Sequence, residues 1–198
     1  NPDTAPEREA ARREQPPEPT LGDKSVSAWA ERLKDPQPGV RSEAAWALGE
    51  FGAAARSAVP ALRLALQDPD QQVRYRAARA LGNVGMPAYE VLLEALQDRD
   101  VQVRAGAALA LGRIGPEAKD AVPKLVGLLL DKDGPVRDAA SAALGAVGEG
   151  AKDAVPKLLE VARGKDASAR AASLKALALI GTEKEAALAV ALPALDDG

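Results

Sequence analysis

Apolar residues in this chain recur at helical spacing, and the recurrence itself repeats. Val103, Ala107, Ala110, Leu111 and Ile114 fall at i, i+4, i+7, i+8 and i+11, which places them on one stripe of an α-helix. The same stripe runs through VRSEAAWALGEFG from Val40, VRYRAARALGNVG from Val73, VRAGAALALGRIG from Val103 and VRDAASAALGAVG from Val136, with a degenerate copy, ARAASLKALALIG, from Ala169. Successive starts are 33, 30, 33 and 33 residues apart. A fixed period of this size predicts stacked helical units that hide their apolar faces against one another, in place of a single globular core.

Each unit divides into two helices, A and B. Helix A is clearest in DAVPKLVGLLLD (120–131), with counterparts in SAVPALRLALQD (57–68) and DAVPKLLEVARG (153–164). Ser57, Asp120 and Asp153 stand three residues before Pro60, Pro123 and Pro156, which predicts N-caps ahead of a proline-bearing first turn. Helix B carries Val-Arg near its start and closes at Leu-Gly-x-φ-Gly. The closing Gly52, Gly85, Gly115, Gly148 and Gly181 are expected in left-handed C-terminal caps. Gly49, Gly82, Gly112 and Gly145, inside helix B, are expected to admit a neighbouring helix.

The unit after Gly85, MPAYEVLLEALQD, is three residues shorter than its counterparts and lacks the aligned proline. Its helix A is expected to begin near Pro87 or Ala88, with a local bend in the array. SVSAWAERLKD (25–35) supplies the first helix A, and Thr182 with Glu185, at capping-box spacing, opens a last one that covers the end of the stack.

Composition sharpens this picture. Aromatic residues make up 3% of the 198-residue chain, while alanine and leucine fill the repeats, so an all-α fold of closely packed helices is expected. Residues 1–20 hold five prolines among charges and little to bury, and are expected to form a disordered tail or linker ahead of a repeat domain over 21–198. The prolines of PPEP lack the basic anchor of an SH3-type ligand. With Lys+Arg 26 against Asp+Glu 29, the net charge of -3 provides no global field for nucleic acid or an anionic bilayer. The chain has no cysteine and no histidine, which removes thiol chemistry, the commonest metal ligand and the commonest general base. No cofactor and no metal are therefore expected. A start at Asn1 without methionine points to a processed or excised chain, and a soluble protein is expected, cytoplasmic or exported after loss of a leader.

The pattern Pro-x-Leu-x-x-Leu-Leu-x-Asp from Pro123, with Val-Arg-x-x-Ala-x-x-Ala-Leu-Gly-x-Ile-Gly as seen from Val103, resembles the HEAT repeat. It is similar in particular to the short bacterial variety called phycobilisome-lyase-type HEAT-like repeats, and the resemblance covers roughly residues 25 to 195. It implies a right-handed superhelix of about five helical hairpins plus a C-terminal capping helix, with A helices convex and B helices concave. At about 8–10 Å per packed helix the array would be about 50 Å long. The resemblance also implies protein binding as the usual work. Bilin lyases and a di-iron hydroxylase carry similar repeats, but the hydroxylase's histidine ligands have no counterpart here, and no acid-base pair stands out for a lyase. Nucleic-acid binding, known for some HEAT-like proteins, is disfavoured by the net acidity.

Two sets of arginines are distinguishable. Arg41, Arg74, Arg104, Arg137 and Arg170 follow each helix-B anchor, and Asp35, Asp68, Asp98 and Asp131 lie five residues before the first four anchors. A ladder present in every unit is best explained by pairing at the A–B turns. Positions three, six and ten after the anchor lie opposite the buried stripe and differ between units. They hold Glu43, Trp46 and Glu50, then Arg76, Arg79 and Asn83, then Gly106, Leu109 and Arg113, then Ala139, Ala142 and Ala146, and finally Ala172, Lys175 and Leu179. Trp and Arg are over-represented at binding hot spots, so Trp46, Tyr75, Arg76, Arg79, Leu109 and Arg113 form the candidate partner-binding set, for a protein or peptide. The competing reading has Trp46 filling a gap beside Trp29. Asp131-Lys-Asp133-Gly134 opens like a calcium loop but lacks the later acidic ligands, and Gly145–Gly150 lacks a preceding strand and a phosphate-binding lysine, so neither is taken as a site.

Overall fold

A computed structural model describes residues 19–181. The expected tail before Pro19 and the expected last helix A after Gly181 lie outside the described residues. The chain enters through a short antiparallel hairpin, β1 (Thr20–Leu21) and β2 (Lys24–Ser25), with Thr20 opposite Ser25. Helices then alternate. The A helices are α1 (Val26–Arg32), α3 (Val59–Ala65), α5 (Tyr89–Ala95), α7 (Val122–Gly127) and α9 (Val155–Ala162). The B helices are α2 (Pro38–Glu50), α4 (Gln71–Val84), α6 (Val101–Ile114), α8 (Gly134–Val147) and α10 (Ala167–Ile180). This is the tandem helical-hairpin array that the apolar period predicts.

Leucine builds its core at matched positions. Leu48, Leu81, Leu111, Leu144 and Leu177 of the B helices and Leu62, Leu92, Leu125 and Leu158 of the A helices are completely buried. Neighbouring B helices pack directly on one another from α2 through α10, whereas A helices of adjacent units meet mainly through the segments that precede them. Units packed tightly on one side and loosely on the other form a curved stack, and the B helices line its concave face.

The predicted caps of helix A do not form. Ser57, Asp120 and Asp153 lie inside 3₁₀ segments, Gly52–Ala58, Gly115–Ala121 and Gly148–Ala154, that run straight into α3, α7 and α9, and those helices have no side-chain cap. The 3₁₀ turns supply the missing acceptors from the backbone: the N–H groups of Val59, Val122 and Val155 donate to the carbonyls of Arg56, Lys119 and Lys152. Pro60, Pro123 and Pro156 do occupy the first turn. In the short unit the shortening falls on this segment, leaving Met86–Ala88, and α5 begins at Tyr89, just past the expected start.

All five closing glycines have positive φ, from 55° at Gly52 to 89° at Gly181. Gly181 alone is shown as a left-handed cap; Gly85, Gly115 and Gly148 combine positive φ with ψ of -144°, -140° and -122°, a region still more closed to residues bearing a Cβ. The interior glycines meet their expected role. A Cβ on Gly82 would lie 2.8 Å from Ala110 Cα, and one on Gly112 would lie 2.9 Å from Ala143 Cα. On Gly49 it would lie 3.2 Å from Ala80 Cα. Alanine gains about 1 kcal/mol in helix propensity over glycine, so the sign of each substitution turns on this contact. Gly82→Ala is expected to lose a net ~1–3 kcal/mol, since both backbones must separate, and Gly49→Ala much less. Urea denaturation of the two variants checks this; equal or improved stability for Gly82→Ala would contradict the close approach.

Candidate protein-binding surface

The arginine ladder is structural, and the geometry shows how. In each unit, Nη1 of the ladder arginine donates to two backbone carbonyls of its own A–B turn: Arg41 to Asp35 and Pro36, Arg74 to Asp68 and Pro69, Arg104 to Asp98 and Arg99, Arg137 to Asp131 and Lys132, Arg170 to Gly164 and Lys165. In the first three units the other edge of the guanidinium reaches the next unit. Arg41 grips Asp68 through Nε (2.6 Å) and Nη2 (2.8 Å), and Arg104 grips Asp131 through Nε (2.9 Å) and Nη2 (3.0 Å). One side chain thus closes its own turn and clamps its neighbour.

The hydrogen bond from Arg41 holds the Asp68 carboxyl below its usual value. Burial pushes the Asp131 carboxyl up, but hydrogen bonds from Arg104 and the Asp133 backbone outweigh this and leave it lowered. Across the short unit the ladder shifts register: Arg74 pairs with Asp100 at 2.9 Å, while Asp98 accepts from Gln67. The residues that resemble a calcium loop belong to the ladder too, since Arg104 Nη2 also donates to Asp133 at 2.7 Å. Among the described residues there is no group of three or more His, Cys, Asp or Glu side chains able to hold a metal.

The second arginine set lies on the concave face. Trp46, Tyr75, Arg76 and Arg79 line one hollow of about 220 Å³ between α2 and α4, floored by Gly49 and Ala80. Tyr75 and Arg79 also line the next hollow, between α4 and α6, together with Leu109 and Arg113. The six predicted residues therefore fall in two adjoining depressions with a shared wall. Trp46, Tyr75 and Leu109 are each more than 40% exposed. Trp46 is thus not filler beneath the first helix. Trp29 fills that space instead, buried, donating to the Leu21 carbonyl and lying under Lys24 and Arg32.

The position three after the anchor is open only at the N-terminal end. Gly106, Ala139 and Ala172 are buried, and a Cβ on Gly106 would meet the Ala78 methyl at 2.7 Å. That position serves helix packing in the later units, not the surface. Asn83, ten after its anchor, ties the surface together by donating to the Gly49 carbonyl (3.1 Å) and accepting from Arg113 (3.3 Å). In three of the A–B turns the aspartate just before helix B has a structural role that the sequence alone does not assign. Asp70, Asp100 and Asp166 cap the B helices by accepting from two backbone N–H groups each. The signal for it is present in Asp68-Pro-Asp70 and Asp98-Arg-Asp100.

A family model described as HEAT repeats matches residues 26–102, 59–145 and 89–178. The chain belongs to the HEAT-repeat family. The HEAT array is also similar to solved structures. An engineered protein shares 27% identity over 89% of this chain and 90% of its own, with a TM-score of 0.56. The complex of CpcE and CpcF of phycocyanin lyase from Nostoc sp. PCC7120 shares 26% identity over 87% of this chain and 71% of that one, with a TM-score of 0.60. A designed armadillo repeat protein, at 18% identity, 87% and 91% coverage and a TM-score of 0.53, supports the solenoid fold alone. No curated protein sequence matches the chain. No helix among the described residues is long and apolar enough to cross a membrane.

A wider hollow of about 770 Å³ opens on the convex side between α7 and α9, lined by Val122, Val126, Leu130 and Val161 with Lys119 and Lys157 at its rim. Leu130 is 62% exposed there.

Proposed function

We propose that this HEAT-repeat chain is a non-catalytic scaffold or adaptor that grips a protein partner on its concave face, through Trp46, Tyr75, Arg76, Arg79, Leu109 and Arg113. The observation that carries this reading is the convergence of those six side chains in two adjoining hollows. The larger, at about 220 Å³, falls below the ~300–1,000 Å³ of small-molecule sites and suits inserted side chains of a partner. Aromatic and arginine side chains in shallow clefts are the usual anchors of protein interfaces. The absence of histidine and cysteine supports a non-catalytic role.

Trp46→Ala and Arg79→Ala are each expected to weaken partner binding by about 1–4 kcal/mol without changing the melting temperature, because both side chains are exposed. Titration calorimetry with a partner recovered by crosslinking from the native cell measures it, and binding untouched by either change would remove this face from consideration. A second reading, an accessory subunit of a lyase, is favoured by the likeness to the phycocyanin lyase complex. Co-expression with a bilin and its acceptor protein, read by absorbance, discriminates the two.

A further inference from the structure

The chain's arginines divide into those that already have an anionic partner and those that do not. Arg41, Arg74 and Arg104 each bind an aspartate. Among the described residues the concave arginines bind none: Arg76 reaches only the Ser42 carbonyl at 3.5 Å, Arg113 only the Asn83 side-chain oxygen at 3.3 Å, and Arg79 has no hydrogen bond or ion pair. Three guanidinium groups therefore surround hollows whose walls include one carboxylate, Glu50, at the α2 end. Beside them stand exposed apolar surfaces, Trp46, Tyr75 and Leu109.

We propose that the occupant of this face is an extended acidic peptide segment, in which an apolar side chain enters the Trp46–Tyr75 hollow and a carboxylate follows onto Arg79 and Arg113. The proposal rests on the concave-face reading above and specifies its ligand. The two hollows lie in a row from α2 to α6, so a chain filling both must run across the B helices. Packed helices are spaced about 8–10 Å apart and an extended chain advances about 3.3 Å per residue, so the apolar and acidic positions should be about three residues apart. A guanidinium fork with free donors favours a carboxylate by bidentate bonding, and the aromatic rings add apolar contact at low entropy cost. Nucleic acid is the poorer fit, because the cationic track it needs would have to continue past α6, where α8 presents Ala142 and Ala146.

The test pans a phage-displayed random dodecamer library against the full chain, then titrates the enriched peptides by fluorescence anisotropy against wild type, Trp46→Ala and Arg79→Ala, with circular dichroism checking that each variant is folded. Enriched peptides should carry Asp or Glu about three residues from an aromatic or aliphatic residue, lose at least about tenfold in affinity on Arg79→Ala, and weaken with added salt. Neutral or basic peptides that still depend on Trp46 would overturn the acidic ligand while leaving the concave face as a binding surface. Acidic peptides indifferent to both substitutions would overturn the concave face itself. No enrichment at all, or displacement of an enriched peptide by an equal concentration of a single-stranded oligonucleotide, would overturn the peptide proposal.

Discussion

Arg104→Ala is expected to cost about 2–4 kcal/mol, far more than its position near the start of α6 would indicate. The side chain is 9% exposed, and its loss removes two bonds to Asp131, one to Asp133 and two to the Asp98 and Arg99 carbonyls. Most of the cost comes from what remains: Asp131, 12% exposed, would keep its burial and lose its counter-ion. Arg137→Ala is the matched control, since Arg137 donates to the two carbonyls of its own turn and forms no ion pair with an aspartate among the described residues; about 1 kcal/mol is expected there. Urea denaturation of both variants measures the difference, and equal losses would mean that the carboxylate clamp adds nothing.

The same pairs set a pH dependence. Asp68 and Asp131 have native pKa values below the ordinary 3.8, so the stability they provide is complete above that value and is lost as pH falls through the lower native one. The wild-type urea midpoint should accordingly drop as pH is taken from about 5 to below 4. Arg104→Ala should flatten part of that fall, because Asp131 then has no partner whose loss protonation can cause.

How much of the fold is legible in the sequence depends on whether a residue acts within its own unit or between units. The apolar stripe, the closing glycines and the leucine positions repeat in every unit, and a period is visible in one sequence without knowledge of contacts. Ser57, Asp120 and Asp153 mislead because an N-cap is inferred from residue type, whereas here the preceding 3₁₀ turn already satisfies the backbone donors. The partner of Arg74 is hidden for a different reason. The shortened unit leaves Arg74 on Asp100, the counterpart of the Asp133 that Arg104 also binds, and not on Asp98, the counterpart of Asp68 and Asp131 in the other two clamps.

The concave surface is legible at positions six and ten after each anchor, where Trp46, Arg79, Leu109 and Arg113 are exposed. Position three behaves differently. The helix periodicity gives a direction for that residue but not the separation of the next helix, and with glycine or alanine there the neighbour comes close enough to cover it. Arg76, at the same position, is half-buried and bonded back to α2.

Leu111→Ala should destabilise the chain by about 2–5 kcal/mol, and the matching Leu177→Ala by less. Both leucines are 0% exposed, so burial alone predicts equal losses. The difference lies in what surrounds each. Leu111 is on α6, which packs against both α4 and α8, and a cavity there weakens two interfaces at once. Leu177 is on α10, whose helix B neighbour among the described residues is α8 on one side. In a stack whose stability is a sum of unit and interface contributions, loss at an inner unit uncouples the halves, whereas loss near an end releases that end alone. Leu111→Ala should therefore lower the midpoint of the whole transition, and Leu177→Ala should split off an early phase of small amplitude. Thermal melts followed by circular dichroism, with hydrogen exchange to locate the early phase, check both. Equal losses in a single transition would contradict neighbour coupling and point to a uniformly cooperative core.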